Sequence, residues 1–382
     1  GHRPDDKGNA MKGIEKIVNR IKPVFSKGGK LGFLHSTFDA FESFLLVPAT
    51  VTRKGSHIRD CNDLKRVMIV VVIALVPSLL FGMYNTGLQH YLAMGSEAAL
   101  PGFFQIFWYG FLRVIPLVIV SYVVGLGIEF TVAQVRGHEV NEGYLVTGML
   151  IPLIVPVTIP LWMLATAVAF SVLIGKEIFG GTGMNIWNPA LLARAFLFFS
   201  YPAYMTGDKI WIDGFSGATP LALWTEQATA TQPMPSWMDM FLGFIPGSVG
   251  ETSVVCILLG AAILIYTGVA SWKIMISCLA GAALTGLLGD IPVHYHLVMG
   301  GFAFGCVFMA TDPVTSPQTE AGKWVYGALI GALTVIIRLF NPGYPEGMML
   351  AILLMNTFAP LIDHYVVAIH VKRRMKRIAA NG

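Results

Sequence analysis

The sequence predicts an all-α, polytopic membrane protein of about ten transmembrane helices. Three observations lead there. Apolar residues make up 55% of the 382 positions and charged residues only 13%, about half the share typical of soluble chains. Mean hydropathy is +0.65. Long apolar runs recur along the chain, separated by polar or Gly/Pro-rich stretches. A surface so poor in charge cannot be solvated everywhere, so much of it must face lipid.

A bilayer core of about 30 Å takes about 20 apolar residues per helix. The candidate spans are Val67–Met83, Phe104–Glu129, Tyr144–Val155, Ile159–Gly175, Pro189–Tyr204, Ser253–Ala270, Lys273–Gly289, His296–Ala310, Trp324–Phe340 and Gly347–Val367. The third and fifth are short and rich in Pro or Gly. The chain then divides into residues 1–10, polar and ahead of Met11, which read as an expression scar, and a basic amino-terminal arm, 11–66. A first five-helix half, 67–204, is followed by a loop, 205–252, a second half, 253–367, and a basic tail, 368–382.

Charge placement orients these spans. Residues 11–66 hold eleven Lys/Arg against five Asp/Glu, and the tail runs Lys372-Arg373-Arg374-Met375-Lys376-Arg377. Both termini are therefore expected in the cytoplasm. Tyr84–Phe103 has no Lys or Arg, and Met205–Thr252 has one Lys in 48 residues; both are expected outside. Arg338 is the exception, near an outer end. In a chain this apolar, the basic runs read as flanks of a membrane protein and argue against nucleic-acid binding.

Five spans per half would invert the second half relative to the first, as in many transport folds. Asn188-Pro189 opens the fifth span and Asn341-Pro342 introduces the tenth, each beside interrupted backbone: Gly180-Gly181-Thr182-Gly183 in one half, Asn341-Pro342-Gly343-Tyr344-Pro345 in the other. Broken backbone survives at membrane depth only where protein or a wet cavity satisfies it. Two inverted five-helix repeats with broken helices are the expected architecture. Gly301-x3-Gly305 and Gly327-x3-Gly331 read as close helix packing.

Charges inside such a chain need a partner or a wet path. Glu129, Lys176, Glu177, Arg194, Asp312, Glu346 and Asp363 lie at or within span ends, each open to a structural or an ion-path reading. Lys176 with Glu177 and Arg338 with Glu346 are the expected ion pairs. Three of the four cysteines lie in apolar stretches and read as small buried hydrophobes. His294-Tyr295-His296 has no nearby third metal ligand. No dinucleotide fingerprint, P-loop or HExxH occurs, so energy must come from a partner, a gradient or a bound cofactor. Asp213-Gly214-Phe215-Ser216-Gly217-Ala218-Thr219, read by itself, is a small-residue turn presenting a hydroxyl with little steric cover.

That segment belongs to a wider set of motifs. Ser56-His57-Ile58-Arg59-Asp60, His138-Glu139-Val140-Asn141-Glu142-Gly143, Asn188-Pro189-Ala190, Ala310-Thr311-Asp312-Pro313-Val314 and Tyr344-Pro345-Glu346-Gly347 accompany it. With them, Val51 to Arg374 resembles the family of B-type membrane subunits of the Na⁺-translocating NADH:quinone oxidoreductases, respiratory pumps of the bacterial inner membrane. The D-type membrane subunit of the ferredoxin:NAD⁺ Rnf complexes is a related alternative, and a non-redox inverted-repeat channel or transporter is another.

The resemblance implies a membrane subunit of a multi-subunit complex that relays electrons to ubiquinone or menaquinone and contributes the Na⁺ route. It implies FMN esterified to Thr219 on the periplasmic side by a flavin transferase, with Asp213, Ser216, Gly217 and Ala218 forming the attachment motif. It also implies a non-covalent riboflavin, for which Asn185, Asn188 and Thr147 are the candidates. Quinone is expected near Gly125-Leu126-Gly127, which departs from the family's Gly-Gly pair. The positions matched to Na⁺ uptake or passage are Asp39, Glu129, Asp312 and Asp363. Expected partners are a subunit with NADH, FAD and 2Fe-2S sites, a second FMN-carrying subunit and small membrane subunits. NADH oxidation would occur in the first of these.

Overall fold

The computed structural model describes residues 18, 20–23, 38, 64–94, 100–136, 143–205, 219–225, 234–289, 292–341 and 346–381. Among them there are helices and no strands. The first set comprises α1 (Leu64–Ala93), α2 (Phe103–Arg136), α3 (Tyr144–Ile154), α4 (Leu161–Gly175) and α5 (Pro189–Ser200). The second comprises α6 (Val254–Tyr266), α7 (Trp272–Gly286), α8, α9 (Glu320–Phe340) and α10 (Gly347–Asn381). Here α8 denotes three short pieces, Val293–Val298, Phe302–Phe304 and the π-helical Gly305–Met309.

Each expected span falls at least partly on helix, though His296–Ala310 is broken at 299–301, where Gly300 takes a φ of 62°. Among the described residues only five stretches are long and apolar enough to cross a membrane unaided. These are Val67–Ala93, Phe103–Arg136, Leu161–Phe179, Glu320–Phe340 and Gly347–Ala379. Helices α3, α5, α6 and α7 have only 11 to 15 residues, about 16–22 Å at 1.5 Å per residue. Local chemistry ends them early. Pro189 starts α5 with no N–H to lose, and the Asn188 side chain accepts from the N–H groups of Ala190 and Leu191 at 2.9 and 3.4 Å. Ser253 caps α6 through the Cys256 N–H at 3.4 Å. The expected fifth span stops at Ser200, and Tyr201 separates it from the short helix Pro202–Met205. The basic tail continues α10 as helix.

Much of the packing recurs between the two sets, except that α1 also packs closely on α2 while α6 makes no comparable contact with α7. In the first, α2 packs on α4, α4 on α5, α3 on α5, α1 on α3 and α2 on α3. In the second, α7 packs on α9, α9 on α10, α8 on α10, α6 on α8 and α7 on α8. The sets meet through α1 against α6 and α5 against α10. One core runs through both, with Leu75, Leu117, Ile151, Leu164, Phe304, Tyr326 and Ile352 all buried in it. Outward-facing residues such as Ile73, Leu80, Leu112, Val123, Leu258, Leu284 and Phe358 are exposed and apolar, as a lipid-facing surface requires. This is a polytopic helical membrane protein.

The α7–α9 contact depends on small residues. A Cβ on Gly331 would lie 1.9 Å from the Cys278 carbonyl oxygen, and one on Gly327 2.0 Å from Ser277 Oγ, so Gly327-x3-Gly331 does bring two helices together. Gly301-x3-Gly305 differs: Gly305 faces the Met348 side chain, while Gly301 faces two carboxylates. Gly331→Leu is expected to lower stability by about 1–3 kcal/mol through overpacking. Gly102→Ala, where a Cβ meets nothing within 4 Å, should be neutral. Monodispersity of each purified complex after graded heating checks both.

Candidate functional site

Interruption of the backbone after α4 builds the first polar region. The helix ends at Gly175 and a single 3-10 turn, Glu177–Phe179, follows. Gly180, Gly181 and Gly183 then adopt positive φ of 119°, 101° and 86°, conformations that side chains with a Cβ rarely take. The chain thereby folds back to Asn188 at the start of α5. Against this turn lie the ends of α1, α3, α6 and α8, and between them is a small cavity of about 80 Å³ that opens outward. Thr147, Lys176, Thr182, Asn185, Asn188 and Asp312 supply its polar lining, and Val67, Val71, Leu150, Leu264 and Phe308 part of its apolar wall. The expected riboflavin residues Thr147, Asn185 and Asn188 are thus brought to one cavity. A few polar groups on mostly apolar walls suit a small-molecule site.

Four carboxylates were candidates for the ion route, and three are described. Glu129 lies at the inner face of α2 and accepts from Lys176 Nζ at 2.6 Å and from Thr182 Oγ1 at 3.3 Å. Both charged side chains are only 5% exposed. This corrects the expected Lys176–Glu177 pair: Glu177 instead meets Arg136 at 3.8 Å. Adjacent residues in a tight turn point apart, while α2 and the end of α4 are brought together by packing. Asp363 receives the N–H groups of Gln318 and Thr319 at 2.7 and 3.0 Å and the Thr319 hydroxyl at 2.5 Å, so it ties α10 to the start of α9.

Asp312 is different. It accepts from Val314 N–H and Thr315 Oγ1, each at 3.1 Å, and from Asn188 Nδ2 at 3.5 Å. Among the described residues it has no ion-pair partner, and it lines the cavity. Asn188 therefore does two jobs, capping α5 with its oxygen and reaching Asp312 with its nitrogen. Asp39 lies outside the described residues.

The remaining expected sites are dispersed. Gly125 is buried, where a Cβ would fall 1.9 Å from the Tyr144 ring; Leu126 packs on the core, and Gly127 is exposed with open space beside it. Thr219 is half-buried at the start of the short helix Pro220–Thr225, its Oγ1 accepting the Ala222 N–H at 3.3 Å. That helix docks through Leu221 on Met240, Ile245, Val254, Val298 and Met299, away from the cavity lining. Asp213, Ser216, Gly217 and Ala218 lie outside the described residues. Cys278 and Cys306 are buried and free, as expected of small hydrophobes. Among the described residues no group of three or more metal-ligating side chains occurs.

A second polar region joins charges that the sequence left apart. Arg194 on α5 donates to Glu251 at 2.5 Å and also to Glu346. Arg338, expected to pair with Glu346, instead donates to the His296 and Met299 carbonyls at 2.6 and 2.8 Å, satisfying backbone freed by the break in α8. Arg338 is buried, so its side chain reports on that break rather than on the membrane surface. Arg194 in an apolar helix was a visible signal; Glu251, just ahead of α6, became informative only when folding placed it beside Arg194.

A helical membrane protein with a polar cavity and buried charges at interrupted helices is the class these features define. Similarity to known proteins places it further. Residues 51–372 match the family model described as NQR2, RnfD, RnfE, and the chain belongs to that family. It is 47% identical to the B-type subunit of the Na(+)-translocating NADH-quinone reductase of Chromohalobacter salexigens, covering 96% of this chain and 97% of the relative. Proteins of the same name from Klebsiella pneumoniae and Haemophilus influenzae are 45% and 43% identical, over 96% of this chain and 100% and 99% of theirs.

Removing one partner of a buried ion pair leaves an uncompensated charge, at a cost of about 3–5 kcal/mol. Lys176→Met is expected to destabilise on that scale, and adding Glu129→Gln to restore most of the loss. A double-mutant cycle in thermal unfolding of the purified complex measures the coupling.

Proposed function

We propose that this chain is the B-type membrane subunit of a Na⁺-translocating NADH:quinone reductase, working inside a multi-subunit complex that oxidises NADH elsewhere. The observation that carries this reading is the near end-to-end match to chains of that name. Ten membrane segments in two inverted halves are supported by the repeated packing pattern, in which five helix contacts of the first set recur in the second. Cytoplasmic termini, in a bacterial inner membrane, are supported by the cations at the cavity end. Arg136, Lys176, Lys273 and Lys323 all lie there, while Thr219 lies among elements of the other end.

The cavity suits a neutral tricyclic ring such as riboflavin. Its walls are mostly apolar and offer the Thr147 hydroxyl and the Asn185 amide, and they would have to part to admit the ring. FMN would be carried by Thr219, whose hydroxyl accepts one long cap contact among the described residues. Flavins so held would supply one-electron relay between the complex's electron donor and quinone. Quinone would lie near Gly125, Leu126 and Gly127 at the cavity end of α2, where Gly127 leaves open surface.

Asp312 is the carboxylate we assign to Na⁺. It faces the cavity without an ion-pair partner among the described residues, whereas Lys176 neutralises Glu129 and the start of α9 occupies Asp363. A hard cation needs oxygen ligands, which Asp312 and the carbonyls of broken helices supply. Lys176 is neutralised by Glu129, and Asn188 reaches the Asp312 carboxylate from α5. Pumping then requires two conformations that differ in affinity for the ion.

Thr219→Val should abolish flavin fluorescence of this polypeptide on a denaturing gel while the complex still assembles; persistence of the fluorescent band would refute the attachment site. Asp312→Asn should raise the Na⁺ concentration for half-maximal quinone reduction about tenfold, worth about 1.4 kcal/mol. Asp363→Asn, which weakens only the tie to the start of α9, should leave that concentration unchanged and lower thermal stability.

A further inference from the structure

The start of α5 is held from outside its own helix set. The Asn188 side chain caps Ala190 and Leu191 with its oxygen and reaches Asp312 with its nitrogen. Its backbone N–H is turned toward α10. Of the two orientations open to the Asn356 amide, one satisfies every neighbour. In it the nitrogen donates to Tyr326 Oη at 2.6 Å and to the Ile352 carbonyl at 3.3 Å, and the oxygen accepts the Asn188 N–H at 3.1 Å. All three residues are buried, with Tyr326, Asn356 and Asn188 only 0%, 1% and 3% exposed.

Asn356 thereby joins three helices. Tyr326 belongs to α9, which glycines hold close against α7; Asn356 belongs to α10, and Asn188 opens α5 of the first set. The neighbouring pair repeats the tie, since Trp187 Nε1 donates to Thr357 Oγ1 at 2.9 Å. Two successive residues of α10 thus hold the two residues that end the glycine-rich turn. Pro360, inside α10, has no N–H for the Asn356 carbonyl, so the helix lacks a backbone bond in the turn that makes the contact.

A buried amide is costly unless its donors and acceptor are all used. Those of Asn356 are used, and one of them goes to a residue that lines the cavity. Alanine at 356 would strand the buried Asn188 N–H and release the turn that aims Asn188 at Asp312.

We propose that Asn356 is a positioning residue for the cation carboxylate. It fixes Asn188 from the second helix set and so keeps the Asn188 amide on Asp312; movement of α10 away from α5 withdraws that support. Asn356 is not among the residues lining the cavity and acts through Asn188. This rests on the assignment of Na⁺ to Asp312 above and adds the residue through which α10 acts on it.

The test follows quinone reduction by the complete complex against Na⁺ concentration. Asn356→Ala should raise the half-saturating concentration about threefold, less than the roughly tenfold or more typical when a direct partner of a ligating group is lost, with little change in the maximal rate. Tyr326→Phe, which leaves the amide in place with one partner fewer, should shift it the same way by less. In the Asp312→Asn background Asn356→Ala should add no further shift, because its effect passes through that carboxylate. A role in packing alone would lower thermal stability and leave the half-saturating concentration unchanged, as expected of Asp363→Asn. An unchanged concentration in Asn356→Ala, or shifts that add in the double variant, would overturn the positioning role; if Asn356→Ala fails to assemble, Tyr326→Phe decides in the same way. An unchanged concentration in Asp312→Asn would overturn the Na⁺ assignment itself, and the positioning role with it.

Discussion

Backbone hydrogen bonding in a medium without water governs this structure. Within a bilayer each N–H and C=O must be satisfied inside the protein, so a helix can stop only where something else takes over its terminal groups. The stops nearest the core of this fold have such substitutes. The Asn188 side chain covers the start of α5, Thr319 and Asp363 cover that of α9, and Arg338 covers the carbonyls exposed by the break in α8. Polar chemistry is concentrated at these stops because polar groups are required there structurally.

The same constraint explains why short helices coexist with long ones. Helices α3 and α5 are too short to cross alone, yet their buried ends abut the cavity and the charge bridge rather than lipid. The long helices α1, α2 and α10 present exposed apolar faces around them. Close contacts at Gly281, Gly327 and Gly331 let α7 and α9 pack with backbone nearly touching backbone, which supplies van der Waals contact where no hydrophobic drive between helices exists.

Two charge clusters follow from this plan, and they differ in kind. Around the cavity, Lys176 neutralises Glu129 and leaves Asp312 held by neutral donors. At the other end, one arginine is shared by two carboxylates that precede separate helices. Both sit where elements of the two helix sets come together, so relative movement of the sets would alter both.

Membrane character, the positions of the apolar segments and the interruption at 180–183 could be read from the sequence, whereas the break in α8 could not, because His296–Ala310 reads as one apolar run. They depend on local composition: apolar run length, Pro189 at a helix start, the glycine cluster 180–183. The joint placement of Thr147, Asn185 and Asn188 also followed from residues near one interruption and a family resemblance. Partner choice was not legible. Sequence adjacency suggested Lys176 with Glu177 and proximity suggested Arg338 with Glu346, but helix packing gave Lys176 to Glu129 and Glu346 to Arg194. Glu251 carried no signal at all until folding placed it beside Arg194. Run length and turn chemistry are properties of neighbouring residues, so the sequence by itself determined where helices form and, at the glycine cluster, where the backbone breaks. A buried charge takes whichever opposite charge packing brings within reach across 47 to 152 positions of chain, and only the tertiary structure decided that.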